Sequence, residues 1–543
     1  MPTFEELKQR YMVTSSGGGS GGSLSGSGFS TAITTFTDSQ VLPLINARRS
    51  APNLGYYQVL KAKIDALGTG NTAGQFIYIA GWWLDPNFSL DGSAGTRLVD
   101  VLIAKARAGV DVRVLGWVVA PELMNSALLR TSLSAGGGSL GGVRGMLDLN
   151  ADTMRLINAL RGEPTLANKA CLNILSHPAG AVHVKMAIVG TNSDASGFTG
   201  GLDLHPGRHD PNWHDVEAQV SGTAVQGVFE CYRQMWNEIR SRSPVSLTAS
   251  SVTSNSHTSS MPDLPGRTLA SSGGANLHVQ SLRTLPRFNF STLSSMVMPT
   301  NRPLSYAPSG LFEIKAAWQK GISGAQKYIY IEDQSFTSYE VFDWINAEIK
   351  AKPELRVLLL TGQFDPNDTP NGIWDKLLRI AINDHLLAGL SPAQIDRVAL
   401  FRHRSKTIHT KTTIVDDLWA LVGSANAMRR SLYTDFEHAV AFMDPNSQAV
   451  KNYRVDLWGI HSRTTTLGID PAIAAWLALP WYGSGAASPL GIERLRLPFP
   501  RITLTAEEQV LQDEIFDADS RNAWGGGLVS HYIGRFGSRV FTL

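Results

Sequence analysis

The sequence predicts an α/β protein built from two similar halves. Apolar, β-branched strands alternate with helical patterns in both parts of the chain, and the same order of elements occurs twice. A Ser/Thr/Pro-rich stretch, residues 242–275, separates the halves and is expected to be a low-complexity, weakly ordered linker. A chain of 543 residues is long enough for two or three domain-sized units. We therefore predict two pseudo-symmetric α/β/α lobes related by internal duplication.

The first half begins with a flexible leader, residues 1–30, because its Gly/Ser tract cannot bury enough apolar surface to fold. The segment GQFIYIAGWWLDP (74–86) has the pattern of a buried strand. A helical pattern follows at 96–110, and the next strand is DVRVLGW (111–117). We assign residues 31–241 to the N-terminal lobe.

The second half repeats this order of elements. The strand is AQKYIYIEDQSF (325–336), the helix covers 339–352, and LRVLLLTG (355–362) is the following strand. We assign residues 276–465 to the C-terminal lobe. Residues 466–543 have no counterpart in the first half and are predicted to be a C-terminal extension.

Each half then reaches a His-x-Lys pair at the beginning of an apolar run. The pairs are His183 with Lys185 and His409 with Lys411. Positions i and i+2 of a strand point to the same face, so each histidine is expected to stand beside its own lysine. An imidazole can act as nucleophile or acid, and an ammonium can hold an anion. Two such pairs that meet would form a phosphate site.

Both pairs are followed by a glycine turn and then by a strand that carries an acid. An isolated His-x-Lys pair is usually a surface pair on a strand, but two pairs at equivalent places of a repeat disfavour that interpretation. The shared downstream residues are Gly200, Gly201, Asp203 and Asp215 in the first half, and Asp416, Gly423, Ser424, Asn426 and Glu437 in the second.

This pattern resembles the phospholipase D superfamily, specifically its eukaryotic-like members with two HxKxxxxD motifs on one chain. The segments IYIAGWWLDP, GGLDLHPGRHDPNWHDV, CYRQMWN, YIYIEDQSF, IVDDLWALVGSANAMRRSL and VDLWGIHS look like family blocks in family order. The resemblance implies a phospholipase D fold with its active site at the interface of the lobes. It also implies that His183 is the nucleophile and His409 the acid, although the residues alone leave those two roles interchangeable.

The chemistry of phosphodiester cleavage agrees with these residue types. Lys185, Lys411 and Asn426 can donate to the non-bridging oxygens, while one histidine attacks phosphorus and the other protonates the leaving group. A carboxylate behind each ring would fix its tautomer, and Asp215 and Glu437 are the candidates. These seven residues are predicted to be catalytic. Predicted substrate contacts are Asp203, Arg208, Trp82, Trp83 and Ser424.

The first motif departs from the family pattern at Gly190, where aspartate is expected. Position 190 is seven residues after His183, so a side chain there would face away from the His/Lys face of a regular strand. We interpret the motif aspartate, which is Asp416 in the second half, as a structural anchor. Gly200, Gly201 and Gly423 are predicted to be structural as well. Asp194 is a candidate replacement for the aspartate that the first motif lacks. The competing hypothesis is a half-degenerate site that binds a phosphodiester and turns it over poorly.

Three further features have both a structural and a functional interpretation. The histidines and acids of LHPGRHDPNWHD suggest a metal site, but its Pro and Gly residues are typical of a polar loop, and we predict neither metal nor cofactor. Arg402, Arg404 and Lys406 form either a solvated face or an electrostatic guide for anionic substrates. The cluster Trp476, Trp481 and Tyr482 is either core or an interfacial anchor.

Composition further limits the classes of function that the sequence allows. The net charge of +2 gives no electrostatic reason to expect nucleic-acid binding, and the two cysteines exclude a disulfide scaffold. No secretory signal or 18-residue apolar stretch is evident, so we expect a cytoplasmic protein, or one exported without a cleavable signal, that contacts membranes peripherally. The sequence thus predicts phospholipid hydrolysis to phosphatidic acid and an alcohol, with transphosphatidylation as a side reaction. A nuclease, another phosphodiesterase or a weakened phospholipid-binding protein are the alternatives.

Overall fold

The computed structural model describes residues 3–14, 33–50, 52–119, 141–208, 213–249, 251–269, 276–292, 302–362, 373–444, 446, 448–486, 488 and 490–536. The strands within these ranges are β1 Thr35–Ile45, β2 Phe76–Gly81, β3 Asp111–Trp117, β4 Ala170–Asn173, β5 Met186–Gly190, β6 Ala195–Gly200, β7 Trp213–His214, β8 Val216–Gly222, β9 Ser246–Ala249, β10 Val252–Asn255, β11 Leu277–Leu285, β12 Leu311–Phe312, β13 Tyr328–Asp333, β14 Arg356–Thr361, β15 Val398–His403, β16 Thr407–Ile408, β17 Lys411–Val415, β18 Trp419–Gly423, β19 Glu437–Met443 and β20 Ile492–Leu495. The helices are α1 Phe4–Tyr11, α2 Tyr56–Asp65, α3 Leu98–Arg107, α4 Gly141–Arg161, α5 Val225–Arg240, α6 Glu313–Gly324, α7 Tyr339–Ala351, α8 Ile373–Ile380, α9 Pro392–Ile395, α10 Arg429–Tyr433, α11 Gln448–Ser462, α12 Ile469–Leu477, α13 Ala506–Leu511 and α14 Gly526–Phe536.

Sixteen of these strands form one mixed sheet whose order repeats on either side of its centre. Strands β1 and β11 pair antiparallel in the middle. Outward from β1 the order is β8-β6-β5-β2-β3-β4, and outward from β11 it is β19-β18-β17-β13-β14-β15, followed by β20. In each arm the three outer strands of this repeated series are parallel and the others antiparallel. The predicted mixed α/β fold is confirmed, and the duplication that would explain it stays a prediction.

The two halves share this sheet and do not carry separate ones. Strand β1 pairs with β8 of its own half along seven residue pairs and with β11 of the other half. Its segment, TFTDSQVLPLI, contains polar residues and a proline, so its alternation is too weak to mark a central strand from sequence. Within the large sheet, the pairing of β1 with β11 joins the two halves.

Helices cover both faces of the sheet. In β13, Tyr328 and Tyr330 belong to one buried apolar cluster, whereas Ile329 and Ile331 belong to another. Because successive side chains of a strand point to opposite faces, both faces of this strand are in apolar cores. This agrees with the continuous apolar pattern that marked the strand in the sequence.

Two of the segments predicted to lack structure are partly ordered. Within the predicted leader, Phe4–Tyr11 forms α1, which begins with a capping box between Thr3 and Glu6, and Tyr11 is buried. The Gly/Ser tract itself lies outside the described residues. Within the predicted linker, β9 and β10 form a hairpin, and Leu247 and Leu264 are fully buried. The prediction of weak order was wrong for these parts, because a few apolar side chains among Ser and Thr are enough to anchor them.

The C-terminal extension completes the fold of the second half. Strand β20 pairs antiparallel with β15 and covers the edge of the sheet. Trp476 of α12 is fully buried, which favours the core interpretation, while Trp481 and Tyr482 are half-buried beneath Arg494 and Arg402. Among the described residues, no helix combines the length and apolar character that a membrane-spanning segment needs. The domain boundaries assigned from sequence stay predictions.

Candidate active site

The Nδ1 side of the His183 ring contacts residues of the second half of the chain. Its Nδ1 lies 3.2 and 3.1 Å from the two carboxylate oxygens of Glu437 and 3.1 Å from the carbonyl oxygen of Ser424. Glu437 is fully buried, and the hydroxyls of Ser424 and Ser431 donate to its Oε2 and Oε1 at 2.5 and 2.8 Å. The carboxylate is therefore fixed by three groups, and His183 turns its other nitrogen, Nε2, away from them.

His409 is held in the same way by the first half. Its Nδ1 lies 2.6 Å from Oδ2 of Asp215, which is fully buried. The indole of Trp213 donates to the same oxygen at 3.3 Å and packs against the His409 ring at 4.7 Å between centroids. Each histidine thus takes its carboxylate from the opposite half, although each His-x-Lys pair is followed by an acid in its own half.

Main-chain hydrogen bonds produce this exchange. The amide of His183 donates to the carbonyl of Phe436, the residue before Glu437, at 2.8 Å. The amide of His409 donates to the carbonyl of His214, the residue before Asp215, also at 2.8 Å. A parallel bridge between Val182 and Phe436 and the β7–β16 ladder continue the two contacts. The site is consequently incomplete in either half alone.

Both lysines are buried beside the histidines. The ammonium of Lys185 donates to the His183 carbonyl at 3.0 Å, and that of Lys411 donates to the His409 carbonyl. Burial lowers the pKa of Lys185 and lowers that of Lys411 to about 8. Two closely placed ammonium groups in a dry site attract a dianionic or monoanionic phosphate more strongly than they would in water.

Burial also shapes the two His–carboxylate pairs. It raises the pKa of Asp215 to about 6 and that of Glu437 to about 7. Burial, followed by the nearby lysines, lowers the pKa of both histidines well below the usual value, and His183 contributes to the lowering at His409. A lowered pKa favours the neutral imidazole, the form in which a histidine can act as a nucleophile.

Glycines let the acid-bearing strands approach closely. A Cβ on Gly201 would lie 2.1 Å from Oδ1 of Asp215, and one on Gly200 would lie 2.4 Å from the Val216 carbonyl. In the second half, a Cβ on Gly423 would lie 2.3 Å from that of Ala439. Gly200, Gly201 and Gly423, which were predicted to be structural, are thus required by contact distances around the carboxylates.

Comparison with known proteins agrees with this geometry. A family profile described as "Cardiolipin synthase, PLD-like domain" matches residues 319–459. Phospholipase D gamma 3 of Arabidopsis thaliana is 24% identical over 531 residues, which cover 72% of this chain and 60% of that protein. These matches support membership of the phospholipase D superfamily.

Other relatives in the superfamily are equally distant. Phospholipase D gamma 1 of the same plant is 25% identical over 529 residues, again 72% of this chain and 60% of the relative. The chain therefore spans about 60% of the length of these relatives. Among solved structures, the phosphatidylserine synthase of Haemophilus influenzae Rd KW20 aligns with a TM-score of 0.45 and 14% identity, over 77% of this chain and 85% of that one. A likeness at that level carries no argument about function.

The aspartate of the second phospholipase D motif is a structural anchor. Oδ1 of Asp416 accepts the amides of Lys327 and Tyr328 at 2.8 Å each, and its Oδ2 accepts the Gln326 amide at 2.6 Å and the Tyr11 hydroxyl at 2.7 Å. Its carboxylate therefore ties the β17–β18 turn to the start of β13. This geometry agrees with the anchor role inferred for the motif aspartate.

Gly190 occupies the equivalent position in the first half and has no room for a side chain. Its φ is +144°, and a Cβ would lie 2.1 Å from the Asp194 carbonyl oxygen. Asp194 does not replace the missing carboxylate. Its side chain is exposed, and its main chain closes the turn with Thr191 instead of reaching β2. The first half therefore does without the anchor, at a place that faces away from the chemistry.

We expect Gly190→Ala to destabilise the protein by about 2–4 kcal/mol, because the methyl group adds a main-chain collision to an unfavourable φ. Urea unfolding measures the change. Gly70→Ala is the matched control, since Gly70 also has a positive φ, +65°, but a Cβ there meets nothing within 4 Å. Equal losses in the two variants would contradict the collision. Gly190→Asp is expected to lower stability in the same way without raising activity.

Asp203 and Asn426 occupy equivalent positions after the two glycine turns, yet their surroundings differ. The Asp203 carboxylate accepts the Trp83 amide at 3.2 Å and the Arg208 guanidinium at 3.1 Å, and it lies 4.0 Å from the Lys185 ammonium. Asn426 is buried, and its Oδ1 has no hydrogen-bond partner among the described residues. The Asp203 carboxylate is thus paired within the protein, which favours a positioning role, while the substrate contact of Asn426 stays a prediction.

The remaining predicted substrate contacts also differ from one another in their surroundings. Trp82 is half-buried, lies edge-on to His183 at 5.7 Å and beneath the Lys185 ammonium at 5.2 Å, and stacks on Trp117. Trp83 stacks on His205, so neither ring of the pair is wholly core. Arg208 lies over Trp213 at 3.9 Å.

Ser424 and Arg208 support other site residues and do not face the substrate side. Ser424 is fully buried, and its hydroxyl donates to Glu437. A side chain directly after the glycine turn therefore points to the side of the His183 ring that carries Nδ1. Arg208 is buried between Asp203 and Trp213, so its charge is already paired. Both geometries favour positioning over the predicted substrate contact. His209 and Asp210 of the same loop lie outside the described residues.

Sequence reasoning missed several supporting residues. Trp213 and Ser431 fix the two carboxylates, and Asp435 accepts the Ala181 amide at 2.8 Å while it pairs with Arg430. Asp333, before the second motif, accepts the Ala427 amide at 2.9 Å. Adjacency to Asp215 and Glu437 was the available signal for Trp213 and Asp435. No sequence pattern marked Ser431 or Asp333.

The basic residues before the second motif are paired with the C-terminal extension. Arg402 and Arg404 both form ion pairs with Glu493 of β20. Their charge is partly neutralised, which weakens the electrostatic-guide interpretation. Two groups of described residues place three metal-ligand atoms together, namely His214, Glu332 and His461, which are buried, and Asp85, Asp152 and His205, which are half-buried.

Proposed function

We propose that the chain is a phospholipase D-type phosphodiesterase that hydrolyses glycerophospholipids to phosphatidic acid and a free alcohol. The observation that carries the proposal is the exchange of carboxylates, which backs His183 with Glu437 and His409 with Asp215. With Nδ1 of each histidine facing a carboxylate, both Nε2 atoms are left for a phosphate, and a lysine lies beside each histidine. This is the arrangement that in-line displacement through a phosphohistidine requires.

The contacts of His183 support its assignment as the nucleophile. A carbonyl oxygen can only accept a hydrogen bond, so the Ser424 carbonyl at 3.1 Å favours the tautomer with the proton on Nδ1. In that tautomer the lone pair is on Nε2, where it can attack phosphorus. His409, whose Nδ1 faces the Asp215 carboxylate, is assigned the remaining role, that of the acid.

The proposed reaction has two steps. His183 Nε2 forms a bond to phosphorus while the bond to the headgroup oxygen breaks, and His409 gives its Nε2 proton to that oxygen. His409 then takes a proton from water, whose oxygen attacks phosphorus and breaks the P–N bond, which releases phosphatidic acid. An alcohol in place of water would give transphosphatidylation. Lys185, Lys411 and Asn426 stabilise the negative charge that develops on the non-bridging oxygens.

The decisive assay offers phosphatidylcholine, phosphatidylethanolamine and supercoiled plasmid DNA in parallel, with a small amount of ethanol, both with and without EDTA. Phosphatidic acid together with phosphatidylethanol is the expected product. DNA nicking without lipid turnover would replace the proposal by a nuclease. Binding to phospholipid vesicles without turnover would instead indicate a phospholipid-binding protein, and the double variant His183→Ala/His409→Ala gives the background for every arm.

We expect kcat/KM to fall above about pH 8, because the Lys411 ammonium then loses its proton. Burial lowers the pKa of Lys411, and the Lys185 charge adds to this, while Asp215, Asp333 and Glu437 act in the opposite direction. The charged form holds the substrate phosphate, so activity is present below this pKa and is lost above it.

The pH–rate profile of Lys411→Arg tests the assignment. A guanidinium stays charged throughout the assay range, so the alkaline fall should move upward or disappear in whatever activity remains. An alkaline limb at the same pH in the variant would contradict the role of Lys411.

A further inference from the structure

We propose that His214, Glu332 and His461 form a binding site for a divalent metal ion of the zinc class, separate from the catalytic histidines. One ligand atom from each residue lies within 4.8 Å of the other two. Nε2 of His214 is 2.7 Å and Nε2 of His461 is 3.2 Å from the same oxygen, Oε1 of Glu332. All three side chains are buried.

The direction of the His214 ring points to a ligand rather than to a hydrogen bond. Although Nε2 is 2.7 Å from Oε1, the pair lacks hydrogen-bond geometry, and neither ring nitrogen has a hydrogen-bond partner among the described residues. A buried polar group without a hydrogen-bond partner is destabilising. A metal ion between Nε2 of His214 and Oε1 of Glu332 would accept the lone pair of that nitrogen. Nε2 would then have a partner.

The donor set suits a borderline metal. Two imidazoles and one carboxylate form a common three-residue ligand set for zinc, and other first-row metals of similar size accept it. The second carboxylate oxygen of Glu332 accepts the Tyr330 hydroxyl at 3.0 Å, which fixes the carboxylate with Oε1 toward the histidines. Such hydrogen bonds behind a ligand are usual at metal sites.

The position of the cluster gives the ion a structural task. The ligands come from β7 of the first half, β13 of the second half and α11. His214 directly precedes Asp215, and its carbonyl accepts the His409 amide at 2.8 Å. An ion would therefore clamp the strand that carries Asp215 onto the second half. The inference concerns metal binding and holds whether or not the proposed lipid chemistry does.

The experiment uses the full chain without a polyhistidine tag. The protein is stripped with a chelator, dialysed against Zn²⁺ or Co²⁺, freed of excess ion, and analysed by elemental mass spectrometry. We expect about one ion per chain, a visible Co²⁺ absorption band typical of low coordination number, and a rise in Tm on reloading. Less than about a tenth of an ion per chain, with no change in Tm, would overturn the proposal and leave a His–Glu–His proton-sharing network.

Two pairs of variants locate the ion. Glu332→Gln and His461→Asn are expected to lose the stoichiometric metal and the Co²⁺ band. Asp152→Asn tests binding at the half-buried Asp85/Asp152/His205 group, and His257→Asn tests the loss of a buried histidine whose nitrogens are both hydrogen-bonded. Both controls should keep the metal. Metal retained in Glu332→Gln but lost in Asp152→Asn would place the ion at the other group and refute the site. The wild-type measurement stands even if a variant fails to fold.

Discussion

Replacing His183 by alanine is expected to lower kcat on a phospholipid by about 10⁴-fold or more, the scale seen when a covalent nucleophile is removed. The tautomer imposed by the Ser424 carbonyl and the support from Glu437 make Nε2 of His183 the attacking atom. Circular dichroism and Tm should stay close to those of the wild type, since the ring is partly exposed. Full activity in this variant would show that the first motif is not catalytic.

Trapping the intermediate distinguishes the two histidines. A phosphodiester with p-nitrophenol as leaving group needs little help from an acid, so His409→Ala should still form the phosphohistidine and then fail to hydrolyse it. Peptide mass spectrometry is expected to find the added phosphoryl group on His183. A label on His409 in His183→Ala would reverse the assigned roles.

The second large effect is expected for Glu437→Gln, which should lower kcat by about 10²–10⁴-fold. The substitution keeps the shape of the side chain and removes the charge behind His183, which leaves the neutral ring less basic and its orientation less fixed. Glu238→Gln is the control, because Glu238 is also a buried acid with an arginine partner, but on α5. We expect that variant to lose stability and to keep the kcat of its folded fraction.

Burst kinetics tests whether the carboxylates act across the two halves. With the p-nitrophenyl substrate, Glu437→Gln should slow the burst itself, since Glu437 supports the nucleophile. Asp215→Asn should leave the burst and slow the steady state, since Asp215 supports His409. If each acid acted on the histidine of its own half, the two results would be exchanged. The measurement therefore separates the exchanged arrangement from the simpler one.

The sequence by itself determined the local elements and the chemical groups. Apolar runs such as FIYIAG and YIYIED are long and continuous enough to require strands buried on both faces, and the structure has them as β2 and β13. The two His-x-Lys pairs, the glycine turns and the acids were found because their spacing repeats. The anchor role of the motif aspartate followed from strand periodicity and agrees with the contacts of Asp416.

Three-dimensional packing decided what each of those groups does. Strand periodicity fixes which side chains share a face within one half, but it carries no information on contacts between halves, so the partner of each histidine could not be assigned from sequence. Spacing along the chain also did not indicate the different surroundings of Asp203 and Asn426 or the serines that hold Glu437, because the local path of each loop decides these contacts.

For two residues, Gly190 and His214, the structure gives an interpretation that differs from the one made from sequence. Gly190 was interpreted as a loss from the motif, but its φ and the nearby Asp194 carbonyl show a main chain that leaves no space for a side chain. His214 was part of a loop with little metal character in sequence, and it meets Glu332 and His461 only because β7, β13 and α11 converge. Spacing along the chain thus determined the elements and the reactive groups, while the pairing of the two halves through β1 and β11 decided which groups meet, because those contacts join residues that are far apart in the sequence.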